Sequence, residues 1–242
     1  MDEYTTLAII AVAALAHASF QLSISMLTLL SSHTIGKKNT HNNLLLRTHA
    51  FVIGAGVMTL LLISSLALVL SYIYSATATP LFIWIIGCGL LTGVGISVAI
   101  FYYRKEAGTS LWIPRPMARY LSSRTKSTSS SAESFSLGMV SAISEILFTL
   151  APIFIAAFSL VQLHPIWQLV GIAVYTIISL SSLIVVNCLI SSGHSISKVQ
   201  KWREANKRFL QLASGALLII LAVYIYVEHV MLAVALTAAG EI

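Results

Sequence analysis

The chain has 242 residues, 57% of them hydrophobic and 9% charged, with a mean hydropathy of +0.90. Soluble domains carry ~25% charged residues, so the composition excludes a water-soluble globular domain. The formal net charge of +6 does not point to nucleic acid, because the charges lie in loops beside apolar runs. The partner implied is the lipid bilayer, with no nucleic acid.

A helix needs ~20 apolar residues to cross a hydrocarbon core of ~30 Å. Six stretches qualify, residues 6–30, 50–74, 81–103, 135–160, 166–190 and 209–227, which predicts an all-α polytopic membrane protein with six transmembrane helices. No basic residue precedes the first stretch, so a cleaved signal peptide is not expected. The loop after it carries Lys37, Lys38 and Arg47. A short connection ending at Pro80 joins the second and third stretches, and another ending at Pro165 joins the fourth and fifth. Between the third and fourth lie Arg104, Lys105, Arg115, Arg119, Arg124, Lys126 and the Ser-rich run 122–131, which reads as a flexible linker. The last loop carries Lys198, Lys201, Arg203, Lys207 and Arg208.

These three loops hold all 14 Lys and Arg residues. With six spans they share one side, which the positive-inside rule makes cytoplasmic. The expectation is a multi-pass protein of the cell membrane with the N- and C-terminus outside the cytoplasm. The apolar tail, residues 228–242, is too short for a seventh span and is expected along the outer interface.

A shift of 117 positions sets Gly54, Val57, Thr59, Ser64, Ser65, Leu66 and Val69 on Gly171, Val174, Thr176, Ser181, Ser182, Leu183 and Val186. Seven of sixteen aligned positions match, where apolar composition alone gives about two. The run Gly87-Cys-Gly-Leu-Leu91 has a weaker counterpart at Ala213 to Leu218. The chain therefore reads as two three-helix repeats, 1–103 and 135–242, joined by a linker at 104–134. An odd number of spans in each copy forces opposite insertion, the inverted-repeat design in which substrate sites lie at the midplane.

In the first stretch His17, Gln21 and Ser25 share the i, i+4, i+8 spacing of one helical face, as do Ser141, Glu145 and Thr149 in the fourth. A shift of 124 superimposes the two stripes and sets Thr28 on Pro152. Glu145 lies ~15 Å into its span, where a carboxylate costs at least ~2.5 kcal/mol. It is expected either to hold a proton or cation or to hydrogen-bond a neighbouring helix through Gln21 or His17. Gln21, His17, Ser25 and Thr149 are candidates for lining a pathway, and Pro152 for bending the fourth helix and freeing carbonyls there.

Gly54, Gly56, Gly87, Gly89, Gly93, Gly95 and Gly171 read as close helix packing, with a GxxxG at Gly89 to Gly93. Cys88 and Cys188 fall inside apolar runs and are expected to be buried, inert thiols. His33, His41 and His49 lack metal-ligand spacing on one helix, so no metal site is expected. With no phosphate-binding loop, metal motif or nucleophile triad, neither a cofactor nor an enzyme activity is expected.

The runs Phe51-Val-Ile-Gly-Ala-Gly56, Leu150-Ala-Pro-Ile-Phe-Ile-Ala-Ala-Phe-Ser-Leu160 and Asn206-Lys-Arg-Phe-Leu-Gln-Leu-Ala-Ser-Gly-Ala-Leu-Leu218 resemble the lysine-exporter (LysE) superfamily of three-plus-three inverted repeats. Within it the chain most resembles the CcdA/DsbD transmembrane family of cytochrome c biogenesis. In that family the first and fourth helices each carry a cysteine beside a proline, and the pair moves electrons across the membrane. Here the matching positions hold Ser25 and Thr149, and only Pro152 is retained. The resemblance thus implies the fold and a transport-like function without the redox chemistry. The leading expectation is a small-solute or ion exporter in which Glu145 couples proton or cation movement to a substrate. The alternatives are a non-transporting scaffold for a second copy or a partner membrane protein and, less favoured, a thiol-electron carrier.

Overall fold

The computed structural model describes residues 3–20, 22–36, 41–74, 80–102, 115–193 and 196–238. Among them all regular structure is helical: α1 (Glu3–Ala18), α2 (Leu22–Gly36), α3 (His41–Ile73), α4 (Leu81–Phe101), α5 (Arg115–Ser127), α6 (Ser131–Ser144), α7 (Ile146–Val161), α8 (Pro165–Ser179), α9 (Ser181–Ser191), α10 (Ile196–Ala205) and α11 (Lys207–Ile225). A π-helical turn (Tyr226–Met231) then leads into α12 (Leu232–Ala238).

Three unbroken segments are long and apolar enough to cross a membrane: Asn42–Ile73, Leu81–Phe101 and Lys207–Ala235. Three further stretches form bent pairs, α1 with α2 at 45°, α6 with α7 at 78° and α8 with α9 at 49°. Counting each bent pair as one span gives six. The apolar runs at 6–30, 135–160 and 166–190 are thus interrupted helices, where apolar length alone suggested continuous ones. His17 and Ser25 consequently fall on different helices, as do Ser141 and Thr149, so neither stripe runs along one helical face; Gln21 lies outside the described residues.

The centre of the bundle is α1 packed on α7 and α8. Ile9, Ile10, Ala13, Ala14 and Ala16 of α1 are fully enclosed, as are Ile155, Ala156, Ala157 and Leu160 of α7. A helix that is apolar all round belongs inside the protein, and the alanines of α7 let its neighbours approach. Around this core α3 packs on α6 and α7, and α4 packs on α11. The outer faces of these helices carry exposed Leu60, Leu68, Ile85, Ile177, Ile220 and Val223. An apolar surface of this extent suits lipid rather than water.

Glycines set two of the helix contacts. A Cβ on Gly54 of α3 would run into the backbone carbonyl of Phe135, and one on Gly138 of α6 would strike the carbonyl of Phe51. Between α4 and α11, a Cβ on Gly215 would sit 2.7 Å from the Gly95 carbonyl, and one on Gly95 3.0 Å from the Gly215 carbonyl. Gly171 is also enclosed, 2.5 Å from Leu160 Cδ2 by the same measure. Gly89 and Gly93 are different, because no described atom lies within 4 Å of where their Cβ atoms would be. Among the described residues they are not packing positions.

Four further expectations are corrected. The linker contains a formed helix: α5 docks on α2, with Leu121 and Thr125 fully buried and Thr125 Oγ1 donating to Leu121 O and facing Met26 Sδ at 3.6 Å. Residues 104–114 lie outside the described residues. The tail does not leave the last span at residue 227, since the helix continues through the π turn into α12, and His229 stacks on Trp84 of α4 at 3.7 Å between ring centroids. Cys188 is exposed on the outer face of α9, whereas Cys88 is buried with its Sγ donating to Ala222 O at 3.4 Å. Pro152 lies within α7, and the bend falls at Glu145.

The start of α6 is fixed by a capping box: Glu133 N–H donates to Ser130 Oγ at 3.2 Å, while the Glu133 carboxylate accepts from Ser130 N–H and from Ser129 N–H. These backbone donors stabilise the charged form and lower the Glu133 pKa below its ordinary 4.5. The sign follows: a depressed carboxylate contributes stability that is fully present above its ordinary value and is lost as pH falls through the lowered one. The protection factors of the Ser129, Ser130 and Glu133 amides, which remove the intrinsic pH dependence of exchange, are expected to be high at neutral pH and to fall as pH drops through the lowered carboxylate pKa. Glu133→Gln is expected to abolish that pH dependence, as hydrogen exchange with mass spectrometry would read.

Candidate functional site

The three helix breaks meet around Glu145. The first break lies between Ala18 and Leu22, the second at Glu145 and the third at Leu180. A small cavity of about 20 Å³ is lined by His17, Phe20, Ser23, Glu145, Ser179 and Ser182, so every break contributes to its wall. That volume suffices for about one water molecule.

Glu145 is 5% exposed. With φ −85° and ψ −6° it closes α6, its N–H reaching back to Ala142 O at 3.2 Å. Its carbonyl then accepts from Phe148 N–H at 2.9 Å and Thr149 N–H at 3.1 Å, opening α7. Its side chain crosses to the other broken span, where Oε1 accepts from Ser23 N–H at 2.5 Å. Ser23 is the second residue of α2, one of the leading positions whose N–H groups have no intrahelical acceptor. The carboxylate therefore satisfies a buried backbone donor and lies at the positive end of the α2 dipole. The expected interhelix bond of Glu145 is present, to the N-terminus of α2; of the two side chains expected as partners, His17 is paired with Tyr175 and Gln21 lies outside the described residues.

Neighbouring polar groups tie the breaks together. Ser141 Oγ donates to Ser23 Oγ at 3.1 Å, and Ser182 Oγ donates to Ala18 O at 2.7 Å. Ser214 of α11 reaches Ser19 O at 3.3 Å. Buried His17 pairs its Nδ1 with the Tyr175 hydroxyl at 2.9 Å, joining α1 to α8. Tyr175→Phe removes that partner from an enclosed imidazole and is expected to lower stability by about 1–2 kcal/mol. A thermal unfolding scan in detergent checks this, with a midpoint equal to that of the unsubstituted protein as the contrary result.

The remaining expected residues fall around this centre. Thr149 Oγ1 bonds back to Glu145 O at 3.2 Å, an intrahelical contact. Ser25 accepts from Arg203 Nη2 of α10 at 3.1 Å. Pro152 is buried in α7, one turn beyond Phe148, whose carbonyl it cannot bond. Gln21 lies outside the described residues. No group of three or more His, Cys, Asp or Glu among the described residues is arranged to hold a metal ion.

A second, larger cavity of about 550 Å³ adjoins the first, and Ile24 and Ser182 line both. It opens between α2, α9, α10 and α11, on the side of the bundle where α10 carries its basic residues. Arg203 is 2% exposed in its wall. In the sequence Arg203 was one of a row of loop charges, and only the fold of α10 against α2 separates it from the others.

No family model matches the chain, and neither any curated protein nor any solved structure matches it. The class defined by fold and site is thus a chain helical throughout its described residues, compatible with a membrane, in which three interrupted helices meet at the buried carboxylate of Glu145.

Proposed function

We propose that this chain is a six-span membrane protein, built as two inverted three-helix halves, that moves a small solute or ion by alternating access with Glu145 as the exchanging group. The observation that carries this reading is the meeting of three helix breaks at a buried carboxylate beside a roomy cavity. Interrupted helices with half-helix ends aimed at a shared point are how such proteins bind ions and small charged groups in a bilayer. The two halves are supported by a detail independent of the residue matches: a shift of 124 carries the interval between Ala18 and Leu22, where the first stretch breaks, onto the interval between Ala142 and Ile146, where the fourth breaks at Glu145. The third break has no partner in the straight α3, so the halves differ in their second helix.

In this reading the basic segments, including α5 and α10, face the cytoplasm and the termini lie outside, by the positive-inside rule. The likeness to the LysE superfamily enters as topology alone. A thiol-electron route is disfavoured by geometry, since Cys88 is buried on α4 and Cys188 is exposed on α9, both as free thiols. The scaffold reading draws on Gly89 and Gly93, whose open face on α4 suits a close helix partner outside the chain.

A pH jump applied to oriented proteoliposomes on a solid-supported membrane tests the exchange role of Glu145. A transient current is expected from the unsubstituted protein and not from Glu145→Gln. Equal currents from the two proteins, or none from either, would count against transport through this site.

A further inference from the structure

The wall of the larger cavity is apolar almost throughout, supplied by Ile24, Val185, Val186, Leu189, Trp202 and Leu210. Such a wall gives water few hydrogen bonds. Val185 and Trp202 are also exposed on the outer surface, so the cavity is continuous with the apolar face that suits lipid. Its charge sits at the mouth. α10 carries Lys198 and Trp202 four residues apart, on one side of the helix, and both are exposed. Arg203 is buried and donates to Ser25 Oγ, which leaves Lys198 as the exposed cation of the wall. Glu204, six residues from Lys198, falls on another side of α10, and the described residues lining the cavity include no carboxylate. Tryptophan and lysine together mark the depth where headgroups meet hydrocarbon, and a basic mouth between helices suits an anionic headgroup.

We propose that this cavity holds one acyl chain of an anionic glycerophospholipid, with the phosphate on Lys198 and the chain passing Trp202 to lie against α9 and α2. The inference rests on the six-span membrane reading and not on transport. Because Ile24 and Ser182 line both cavities, the chain ends one side chain away from the Glu145 site. Hydrocarbon and water are alternative occupants of this space. The bound lipid closes the breaks on the side of the basic segments, and its departure opens the route to Ser182.

The test uses the full chain in phosphatidylcholine nanodiscs with a rising fraction of phosphatidylglycerol whose chains carry bromine, which quenches tryptophan. The quenching due to Trp202 is the difference between the chain and its Trp202→Phe variant. It is expected to saturate at a low fraction of brominated phosphatidylglycerol, and to rise only in proportion when the bromine is on phosphatidylcholine instead. Lys198→Gln is expected to raise the half-saturating fraction about fivefold, the worth of one basic residue near an anionic surface. Val185→Phe narrows the mouth without touching the charge and is expected to abolish saturation. With Cys88→Ala and Cys188→Ala in place, labelling of Ser182→Cys by a membrane-impermeant thiol reagent is expected to slow several-fold as phosphatidylglycerol is added; an unchanged rate would overturn the closing role. Equal dependence on the two brominated lipids, with no effect of Lys198→Gln or Val185→Phe, would show ordinary boundary lipid and overturn the proposal. Release of the quenching by one equivalent of dodecanoate would assign the cavity to a soluble amphiphile and overturn the phospholipid. Saturable quenching without any current in the pH-jump experiment would uphold the lipid site while removing the transport reading, and a current without saturable quenching would do the reverse.

Discussion

Glu145→Ala is expected to destabilise the fold by about 2–4 kcal/mol, and Glu145→Gln by about 1 kcal/mol or less. The difference follows from what the side chain does. Oε1 accepts the Ser23 N–H at 2.5 Å, and alanine leaves that buried donor without its acceptor. A hydrogen bond to a charged group contributes about 1.5–3 kcal/mol, and an orphaned buried donor costs about 1–3 kcal/mol. These overlap in part, so their sum is an upper bound. The charge adds an interaction with the N-terminus of α2, worth up to about 2 kcal/mol in partly buried geometry. Glutamine keeps an acceptor oxygen at the same place and gives up the charge and the exchangeable proton. The pair of variants therefore separates structure from function, with alanine expected to lower the midpoint of unfolding by dodecyl sulfate far more than glutamine. Both are expected to be silent in the pH-jump current. Equal stability of the two variants would remove the helix-terminus role assigned to the carboxylate.

Gly138→Ala is expected to be among the most damaging single methyl additions in the chain, at about 3 kcal/mol or more. The new Cβ would lie against the Phe51 carbonyl oxygen and the Ala55 nitrogen, both backbone atoms of α3. Overpacking against a side chain is relieved by a rotamer change, but against backbone the helix itself must move. The reciprocal contact of Gly54 with the Phe135 carbonyl binds the two helices at a second point, nearly one turn along each. Gly89→Ala on α4 is the control, because its Cβ meets no described atom within 4 Å. It is expected to leave the unfolding midpoint within about 0.5 kcal/mol of the unsubstituted protein. A similar loss from both would remove the α3–α6 contact as the cause, because the helix propensity of alanine favours both variants.

The apolar runs were legible because they follow from length and composition, and so was the importance of the positions around 17–25 and 141–152, where polar residues recur within apolar sequence. The breaks were not. Nothing in the spacing of Ser141, Glu145 and Thr149 signals that the helix stops at Glu145, since the signal is tertiary, namely the Ser23 N–H that the carboxylate reaches from another segment. Pro152 was the visible breaker, yet it lies within α7, where the bond it forgoes would have been to Phe148. Tyr175 and Ser23 were hidden for a similar reason, as one is an aromatic in an apolar run and the other a serine off the stripe. Gly138 carries a contact as close as that of Gly54, but it was passed over because no second glycine flags it. The GxxxG at Gly89 and Gly93 drew notice by its pattern and faces out of the bundle. Arg203 needed the fold of α10, because its identity as a loop cation conceals its burial.

The central claim is that water reaches the meeting point of the three breaks. Cys88→Ala and Cys188→Ala remove both native thiols, after which Glu145→Cys, or Ser182→Cys where the first is too unstable, places one thiol at that point. Reaction with a membrane-impermeant thiol reagent is then measured in intact cells and in inverted vesicles. Labelling is expected from the side of the basic segments, through the larger cavity, and from the opposite side in the fraction of molecules open that way. A folded protein that resists the reagent from both sides would contradict the account and leave Glu145 as a buried strut between two helix ends.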